Sequence, residues 1–125
     1  MDFKLELIAV PVTDVDRAKG FYVDQLGFIA DADQVVSEEV RFVQLTPPGS
    51  ACSIAIGRGL TSMAPGSLDG LQAVVADVAA TRRQFTERGV EVSEVEELPW
   101  GSFARLQDPD GNSWTLQQLP AWRNG

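Results

Sequence analysis

The strongest constraint on this sequence is that its second half repeats its first. A shift of 63 residues superposes a Val-x-Asp-Val segment at 12–15 on the same pattern at 75–78. Further matches, at shifts of 61 to 63 residues, pair Tyr22 with Phe85, Gly27 with Gly89, Phe42 with Phe103, Leu45 with Leu106 and Pro48 with Pro109. Because the matches are spread through both halves, they indicate duplication of one structural unit.

Each half has the pattern of one strand, one helix and three further strands. Residues 5–12 are rich in apolar and β-branched side chains, which predicts a strand, and residues 15–26 space apolar side chains three or four apart, which predicts a helix. Thr13 or Asp14 would cap this helix, and Gly27 would end it. The pattern continues with a strand or strand-like loop at 28–36, strands at 40–45, 52–56 and 71–75, a helix between Asp77 and Gly89, and strands at 90–95, 102–106 and 113–118.

We therefore expect an α+β fold of two β-α-β-β-β repeats in a single domain, residues 1–125. Repeat 1 spans about 5–56, a Gly/Ser/Pro-rich linker covers 57–69, repeat 2 spans about 70–118, and a tail follows at 119–125. Either repeat alone is too small to bury its own sheet face. The two are expected to pair into a concave mixed sheet around a ligand cleft.

The composition excludes several kinds of chemistry. The chain has no histidine and one cysteine, Cys52, so it cannot hold a Ser-His-Asp or Cys-His site, a histidine-bound metal or an intrachain disulfide. Any metal would need oxygen ligands, which favours magnesium, calcium or manganese. The lone cysteine and the lack of a visible signal peptide lead us to expect a cytoplasmic protein.

The charge balance bears on possible partners. Ten Lys and Arg residues against eighteen Asp and Glu residues give a formal net charge of −8. A surface of this sign repels phosphate backbones, so we expect no nucleic-acid partner. The sequence also has no apolar stretch long enough to span a bilayer, so we expect no membrane partner.

Several motifs resemble the vicinal oxygen chelate superfamily, which includes glyoxalase I, bleomycin-resistance proteins, fosfomycin-resistance enzymes and extradiol dioxygenases. They are Val-Pro-Val-Thr-Asp-Val-Asp-Arg-Ala at 10–18, Phe21-Tyr22, Leu26-Gly27-Phe28, and Asp-Pro-Asp-Gly-Asn-Ser-Trp at 108–114. The resemblance covers nearly the whole chain. It implies the same pair of repeats, a small-molecule ligand and a homodimer.

The resemblance also implies where a metal would be held, and there this sequence departs from the family. Family enzymes use a His on the first strand, an acidic or amide residue late in the first half, a His opening the second half and a Glu on the last strand. The corresponding positions hold Leu7, either Ser53 or Ala55, Gly70 and Thr115. These residues cannot form the usual site, so the chain resembles the metal-free branch of the family. We expect neither a metal nor another cofactor.

Strand alternation and the resemblance together predict which residues line the cleft. If Leu7, Gly70 and Thr115 mark its face, alternation adds Leu5, Ala9, Ser53, Ala55, Gln72, Val74, Ser113 and Gln117. By family analogy Phe103 and Arg105 turn inward, and the repeat relates them to Phe42 and Gln44. The predicted ligand-binding residues are Phe42, Gln44, Gln72, Trp100, Phe103, Arg105 and Thr115. This combination suits a partly aromatic, drug-sized molecule.

The aromatic candidates also have purely structural interpretations. Phe42 and Phe103 could be core residues beneath the helices. Trp100 could cover the mouth of the cleft or fill a contact between domains or subunits. Trp114 has the opposite alternation to Thr115, so we expect it to pack under a helix.

The polar candidates leave alternatives open as well. Arg105 could hold a ligand carboxylate or phenolate, or it could form a salt bridge with a carboxylate at 94–97. Gln44 and Gln72 could form hydrogen bonds with a ligand or with each other.

Two functions of different classes are consistent with these residues. The first is a metal-independent binding protein of the glyoxalase/bleomycin-resistance type, which sequesters an antibiotic or a metabolite. The alternative is a metal-free enzyme of the same fold, an isomerase, cyclase or lyase-like protein that uses positioning and a polar group such as Arg105. Metal-dependent glyoxalase or dioxygenase activity is not expected, because that chemistry depends on the metal.

Overall fold

A computed structural model of the chain describes residues 1–123. The first half contains β1 (Leu7–Ala9), α1 (Val15–Gly20), β2 (Ile29–Val35), β3 (Arg41–Thr46) and β4 (Ser53–Arg58). The second half contains β5 (Asp69–Val74), α2 (Val78–Glu87), β6 (Glu96–Leu98), β7 (Gly101–Gln107) and β8 (Ser113–Gln118). A 3₁₀ turn, Ala121–Arg123, follows.

The strands form two four-stranded mixed sheets with the same topology. The first sheet has the order β1-β4-β3-β2 and the second has the order β5-β8-β7-β6. In each, the first and last strands of the half are parallel and the other pairs are antiparallel. The predicted α+β fold with two repeated βαβββ halves is therefore confirmed.

The chain forms two compact units. One comprises Met1–Leu68 together with Asp108–Asn112, and the other comprises Asp69–Gln107 together with the residues after Asn112. The turn at 108–112 thus connects β7 and β8 of the second sheet but belongs to the unit of the first.

Both helices begin at an aspartate, as their sequences indicate. The Asp14 side chain accepts a hydrogen bond from the Arg17 N–H at 3.0 Å, and Asp77 accepts one from the Ala80 N–H at 3.0 Å. The first predicted helix is longer than α1 because it continues as a π-helical turn, Phe21–Gln25.

Each helix packs on one face of the sheet in its own half. In the first sheet, Val43 and Leu45 on β3 pair with Ile56 and Ile54 on β4, and all four side chains are buried. In the second sheet, Trp114 on β8 lies beside Leu106 on the same face. The buried position of Trp114 confirms its predicted place in the core.

The predicted strand at 90–95 is wrong, because the strand in this region is β6, which begins only at Glu96. Side chains take part in the hydrogen bonds at Ser93. Its N–H donates to the Arg105 carbonyl at 2.9 Å, but the Arg105 N–H donates to the Ser93 hydroxyl at 2.8 Å, and the Ser93 carbonyl accepts from Arg82 Nε at 2.8 Å. A side-chain oxygen thus takes the place of one backbone acceptor of a regular ladder.

A buried polar cluster joins the turn at 108–112 to the segment after β1. Tyr22 Oη donates to Asp108 Oδ2 at 2.7 Å, and Asn112 Nδ2 donates to the same oxygen and to the Pro11 carbonyl, each at 2.8 Å. The Leu68 N–H donates to Asn112 Oδ1 at 3.1 Å. The Asp-Pro-Asp-Gly-Asn motif is therefore a structural element of the first unit.

None of the helices formed by residues 1–123 has the length and apolar character needed to cross a membrane.

Candidate functional site

The face of each sheet that points away from its helix, here called the distal face, collects the predicted ligand-binding residues. In the first sheet, strand pairing places Leu7 beside Ser53 and Gln44 beside Ala55. Side chains alternate along a strand. The distal face of this sheet is therefore formed by Leu7, Ala9, Phe42, Gln44, Thr46, Ser53 and Ala55.

In the second sheet the distal face has two parallel rows. One row runs from Gln72 through Thr115 to Arg105, and the next runs from Val74 through Gln117 to Phe103. The alternation predicted from the sequence thus holds within each sheet. Trp100, the remaining candidate, lies in the tight turn between β6 and β7.

A chain of hydrogen bonds crosses the distal face of the first sheet. Gln44 Nε2 donates to Ser53 Oγ at 3.2 Å, Ser53 Oγ lies 2.6 Å from Thr46 Oγ1, and Thr46 Oγ1 donates to an Asp31 carboxylate oxygen. We call these four residues the carboxylate chain. Ser53 is buried, whereas Asp31 is exposed.

A shorter chain crosses the distal face of the second sheet. Gln72 Nε2 donates to Gln117 Oε1 at 2.8 Å, and Gln117 Nε2 donates to the Trp100 carbonyl oxygen at 3.3 Å. We call these three residues the amide chain. Gln117 is buried and Gln72 is exposed, so the chain connects a solvent-facing amide to the turn that carries Trp100.

The backbone also constrains the Trp100 turn. Gly101 has φ +146°, and a Cβ atom at this position would lie 2.7 Å from the Gln118 carbonyl oxygen. Glycine avoids both the steric strain and the clash. The turn is therefore held from both sides, while the Trp100 side chain is left 56% exposed.

The two phenylalanines differ in their burial. Pairing with Gln117 and Glu96 places Phe103 on the distal face. Only 6% of Phe103 is exposed, so its ring is buried among its neighbours on that face. Phe42 pairs with Gly57 on the distal face of the first sheet and is partly exposed.

Arg105 forms the salt bridge that the sequence left open as an alternative. Its Nη1 lies 3.4 Å from Glu96 Oε2, and the two side chains are 59% and 52% exposed. Such an exposed pair contributes little to stability. The guanidinium group therefore remains accessible from solvent while its charge is partly neutralised.

The positions that the family resemblance assigns to metal ligands do not fit a divalent metal ion. Strand pairing makes Ala55 the counterpart of Thr115, since Ala9 lies beside Ala55 as Gln72 lies beside Thr115. Gly70 falls at an irregularity in the pairing of β5 with β8. Leu7, Ala55, Gly70 and Thr115 together offer one neutral hydroxyl, which does not fit a divalent cation. No other group of metal-binding side chains occurs among residues 1–123.

Two members of the carboxylate chain were missed by sequence reasoning. Thr46 has the same alternation as Gln44, so its position was readable from the strand pattern. Asp31 lies at the irregularity in the pairing of β2 with β3, between Ala30 and Ala32, and bonds to Thr46 on the distal face. The sequence carries no clear signal for that irregularity.

The strongest electrostatic interaction lies on the other side of the first sheet. Asp33 accepts hydrogen bonds from Arg41 Nη2 at 2.9 Å and from Lys19 Nζ at 2.8 Å. These two cations hold the pKa of the Asp33 carboxyl well below its usual range, and Asp33 and Asp16 in turn raise the pKa of Arg41. This cluster is structural and separate from the distal face.

The repeated βαβββ halves are the feature by which this fold can be compared with known families. The model of the Glyoxalase/Bleomycin resistance protein/Dioxygenase superfamily matches residues 4–116. The chain belongs to this superfamily.

Several proteins of known sequence or structure are similar over most of their length. YetH of Bacillus subtilis (strain 168), an uncharacterized protein, is 29% identical over 115 residues, which cover 89% of this chain and 94% of YetH. TnmS3, an antibiotic binding protein from Streptomyces sp. CB03234, is 39% identical with a TM-score of 0.88, over 95% of this chain and 98% of TnmS3. A glyoxalase/bleomycin resistance protein from the same organism is 40% identical with a TM-score of 0.83, over 92% of this chain and 100% of that protein.

Proposed function

We propose that this chain binds a small, partly aromatic molecule, an antibiotic or a metabolite, and sequesters it without a metal and without chemical change. The observation that carries the proposal is the composition of the distal faces. The family's metal positions hold Leu7, Ala55, Gly70 and Thr115, whereas the surrounding positions keep aromatic rings and amides. Such a surface can orient a ligand but lacks the groups that would hold a divalent ion.

The proposed ligand-binding residues fall into an aromatic set and a polar set. Aromatic side chains supply contact area to a planar ligand, and polar side chains fix its orientation. The contact residues are Phe42, Phe103 and Trp100, and the orienting residues are Gln44, Gln72, Arg105 and Thr115. Trp100 is the principal candidate for stacking, because its indole is exposed and its turn is held in place.

Similarity to TnmS3 supports a binding function over catalysis. At 39% identity over nearly the full length of both chains, the two proteins share more than a fold. TnmS3 is an antibiotic binding protein, so an antibiotic is the first class of ligand to test. The proposal concerns this class of ligand and not the particular antibiotic that TnmS3 binds.

One observation favours the alternative of a metal-free isomerase, cyclase or lyase-like enzyme. The carboxylate chain links the buried Ser53 hydroxyl through Thr46 to Asp31, an arrangement that can accept a proton from a bound molecule. The two functions are distinguished by the bound compound, which a binding protein returns with its mass unchanged.

We also propose that the protein acts as a homodimer in the cytoplasm. The lone cysteine is consistent with a reducing compartment. The net charge of −8 argues against a nucleic-acid partner.

The binding function is tested by titrating the protein with a panel of aromatic antibiotics while tryptophan emission is recorded. Native mass spectrometry of the complex then shows whether the compound is unchanged. Replacing Trp100 with Ala is expected to weaken binding about fivefold, since losing a stacked ring costs on the order of 1 kcal/mol. Trp122→Ala is the control, because this tryptophan is exposed in the C-terminal 3₁₀ turn, outside the distal faces.

Equal weakening by the two substitutions would remove Trp100 from the binding site. A product of altered mass would favour the enzyme. Binding that requires one equivalent of a divalent metal would contradict the metal-free proposal.

A further inference from the structure

We infer that the distal faces are selective for a ligand rich in hydrogen-bond donors, such as amino or hydroxyl groups on an aromatic frame. This inference rests on the proposed binding function and specifies its ligand class. It follows from the direction of the carboxylate chain and of the amide chain. In each chain one end can only accept hydrogen bonds, and that end fixes the orientation of every group behind it.

In the amide chain the fixed end is the Trp100 carbonyl oxygen. A carbonyl oxygen accepts and never donates, so Gln117 must turn its Nε2 toward Trp100. Gln117 Oε1 then faces Gln72, which must present Nε2 to it. The Gln72 amide is thereby oriented with Oε1 at the outer end of the amide chain. Among residues 1–123, this oxygen accepts no hydrogen bond.

In the carboxylate chain the fixed end is Asp31. An ionised carboxylate only accepts, so Thr46 donates to it and Ser53 donates to Thr46. The Ser53 oxygen can then accept only from Gln44 Nε2, which it does at 3.2 Å. Gln44 Oε1 is left at the outer end, and it too accepts no hydrogen bond from residues 1–123.

On both distal faces the outermost amide has a fixed orientation. It is set by the Asp31 carboxylate on the first face and by the Trp100 carbonyl on the second. Each chain ends in a glutamine amide that cannot turn, because turning it would place two acceptors against each other, so its oxygen stays at the outer end beside the second N–H of the same amide. The remaining charged groups on the second face do not reverse this polarity. Arg105 is matched by Glu96, and the whole chain has a net charge of −8, which attracts cationic donors such as protonated amines.

Two dyes with the same ring system and the same charge test the inference. Proflavine carries two amino groups on an acridinium ring, and acridine orange is its tetramethyl derivative, in which the amino N–H donors are absent. Titration of each dye into the full-length protein at pH 7 gives its dissociation constant from tryptophan quenching. We expect wild-type protein to bind proflavine at least about fivefold more tightly, the effect of one or two matched hydrogen bonds.

Variants at Gln44 and Gln72 show whether the preference comes from the two amide oxygens or from the bulk of the methyl groups. Gln72 is exposed and Gln44 is partly exposed. In the double variant Gln44→Leu, Gln72→Leu the preference should fall to within about twofold, whereas Gln72→Glu, which retains acceptors, should keep it. Gln84→Leu, an exposed glutamine on α2, is the matched control and should behave as wild type.

Each outcome decides one of the two proposals. Binding of both dyes without preference, or a preference that survives the double variant Gln44→Leu, Gln72→Leu, overturns the donor selectivity and leaves the binding function standing. Failure of wild-type protein to bind either dye, or any aromatic compound of the antibiotic panel, overturns the binding function itself.

Discussion

Asp33 shows how a single charged residue can connect three parts of the first unit. It lies on β2 and bonds to Lys19 on α1 and to Arg41 on β3, while Arg41 also reaches Asp16 at 3.0 Å. The side chain of Arg41 is largely buried in this cluster. Removing Asp33 therefore leaves a mostly desolvated guanidinium with one exposed partner, Asp16, which costs more than the loss of an ordinary surface pair.

The replacement Asp33→Asn is expected to lower the free energy of unfolding by about 1 kcal/mol at pH 7. In the wild-type protein, the pKa of the Asp33 carboxyl is lower in the folded state than in an unfolded chain. The stabilisation that its ion pairs provide is therefore complete above the ordinary aspartate pKa of about 4. It declines as the pH falls below that value. Urea unfolding at pH 7, 4 and 3 should show the gap between wild type and variant narrowing at the lowest pH.

Asp16→Asn is the matched control for this prediction. Asp16 bonds to the same guanidinium, but its side chain is 82% exposed, so the expected loss is below about 0.5 kcal/mol. A gap for Asp33→Asn that stays constant from pH 7 to pH 3 would show that the ion pair is not its cause.

The elements of the fold follow the sequence closely wherever local signals act alone. Asp14 and Asp77 cap the helices as expected, and the ladder pairs Ile8 with Ile54 as it pairs Leu71 with Trp114, which preserves the 63-residue shift in the first strands. The departure at 90–95 lies where Ser93 bonds through side chains, since the Arg105 N–H donates to the Ser93 hydroxyl and Arg82 Nε donates to the Ser93 carbonyl. A strand pattern cannot reveal which side chain will compete for a backbone acceptor.

Among the elements of the fold, the turn at 108–112 is expected to contribute strongly to the free energy of unfolding. The replacement Asn112→Ala removes the bonds to Asp108, Leu68 and the Pro11 carbonyl. Because these groups are buried or partly buried, we expect a loss of about 2–4 kcal/mol in the free energy of unfolding, measured by urea denaturation.

Asp110→Ala provides the comparison within the same turn. Asp110 Oδ1 accepts bonds from the Thr13 N–H and hydroxyl at 3.1 and 2.7 Å, but both are exposed to solvent. Its removal should cost about 1 kcal/mol or less. Equal losses for the two variants would mean that Asn112 acts only through the shape of the turn.

For the molecule as a whole, the sequence predicted the duplicated fold and the face on which each candidate lies, because both depend on periodicity. The salt bridge of Arg105 with a carboxylate at 94–97 was one of two alternatives, but the other pairings of polar residues on that face were not predicted. Gln72 with Gln117, and Thr46 with Asp31, are contacts between strands. Their partners are fixed by strand register and by the irregularity in β2, which alternation along a single strand does not determine.

The surface of the whole chain leads to a final prediction, on its assembly. Met1, Phe3 and Leu5 precede β1 and are exposed to solvent, with Phe3 at 92% and Leu5 at 68%. Apolar side chains clustered in this way at the edge of a sheet favour burial against a second copy.

We expect light scattering after gel filtration to give about twice the chain mass of 13.6 kDa. The double substitution Phe3→Ser, Leu5→Ser is expected to shift the protein toward the monomer. The substitution Val35→Ser, Val36→Ser, at an apolar pair that is 68% and 67% exposed, should leave the mass unchanged. A wild-type protein of 13.6 kDa at all concentrations would contradict the homodimer.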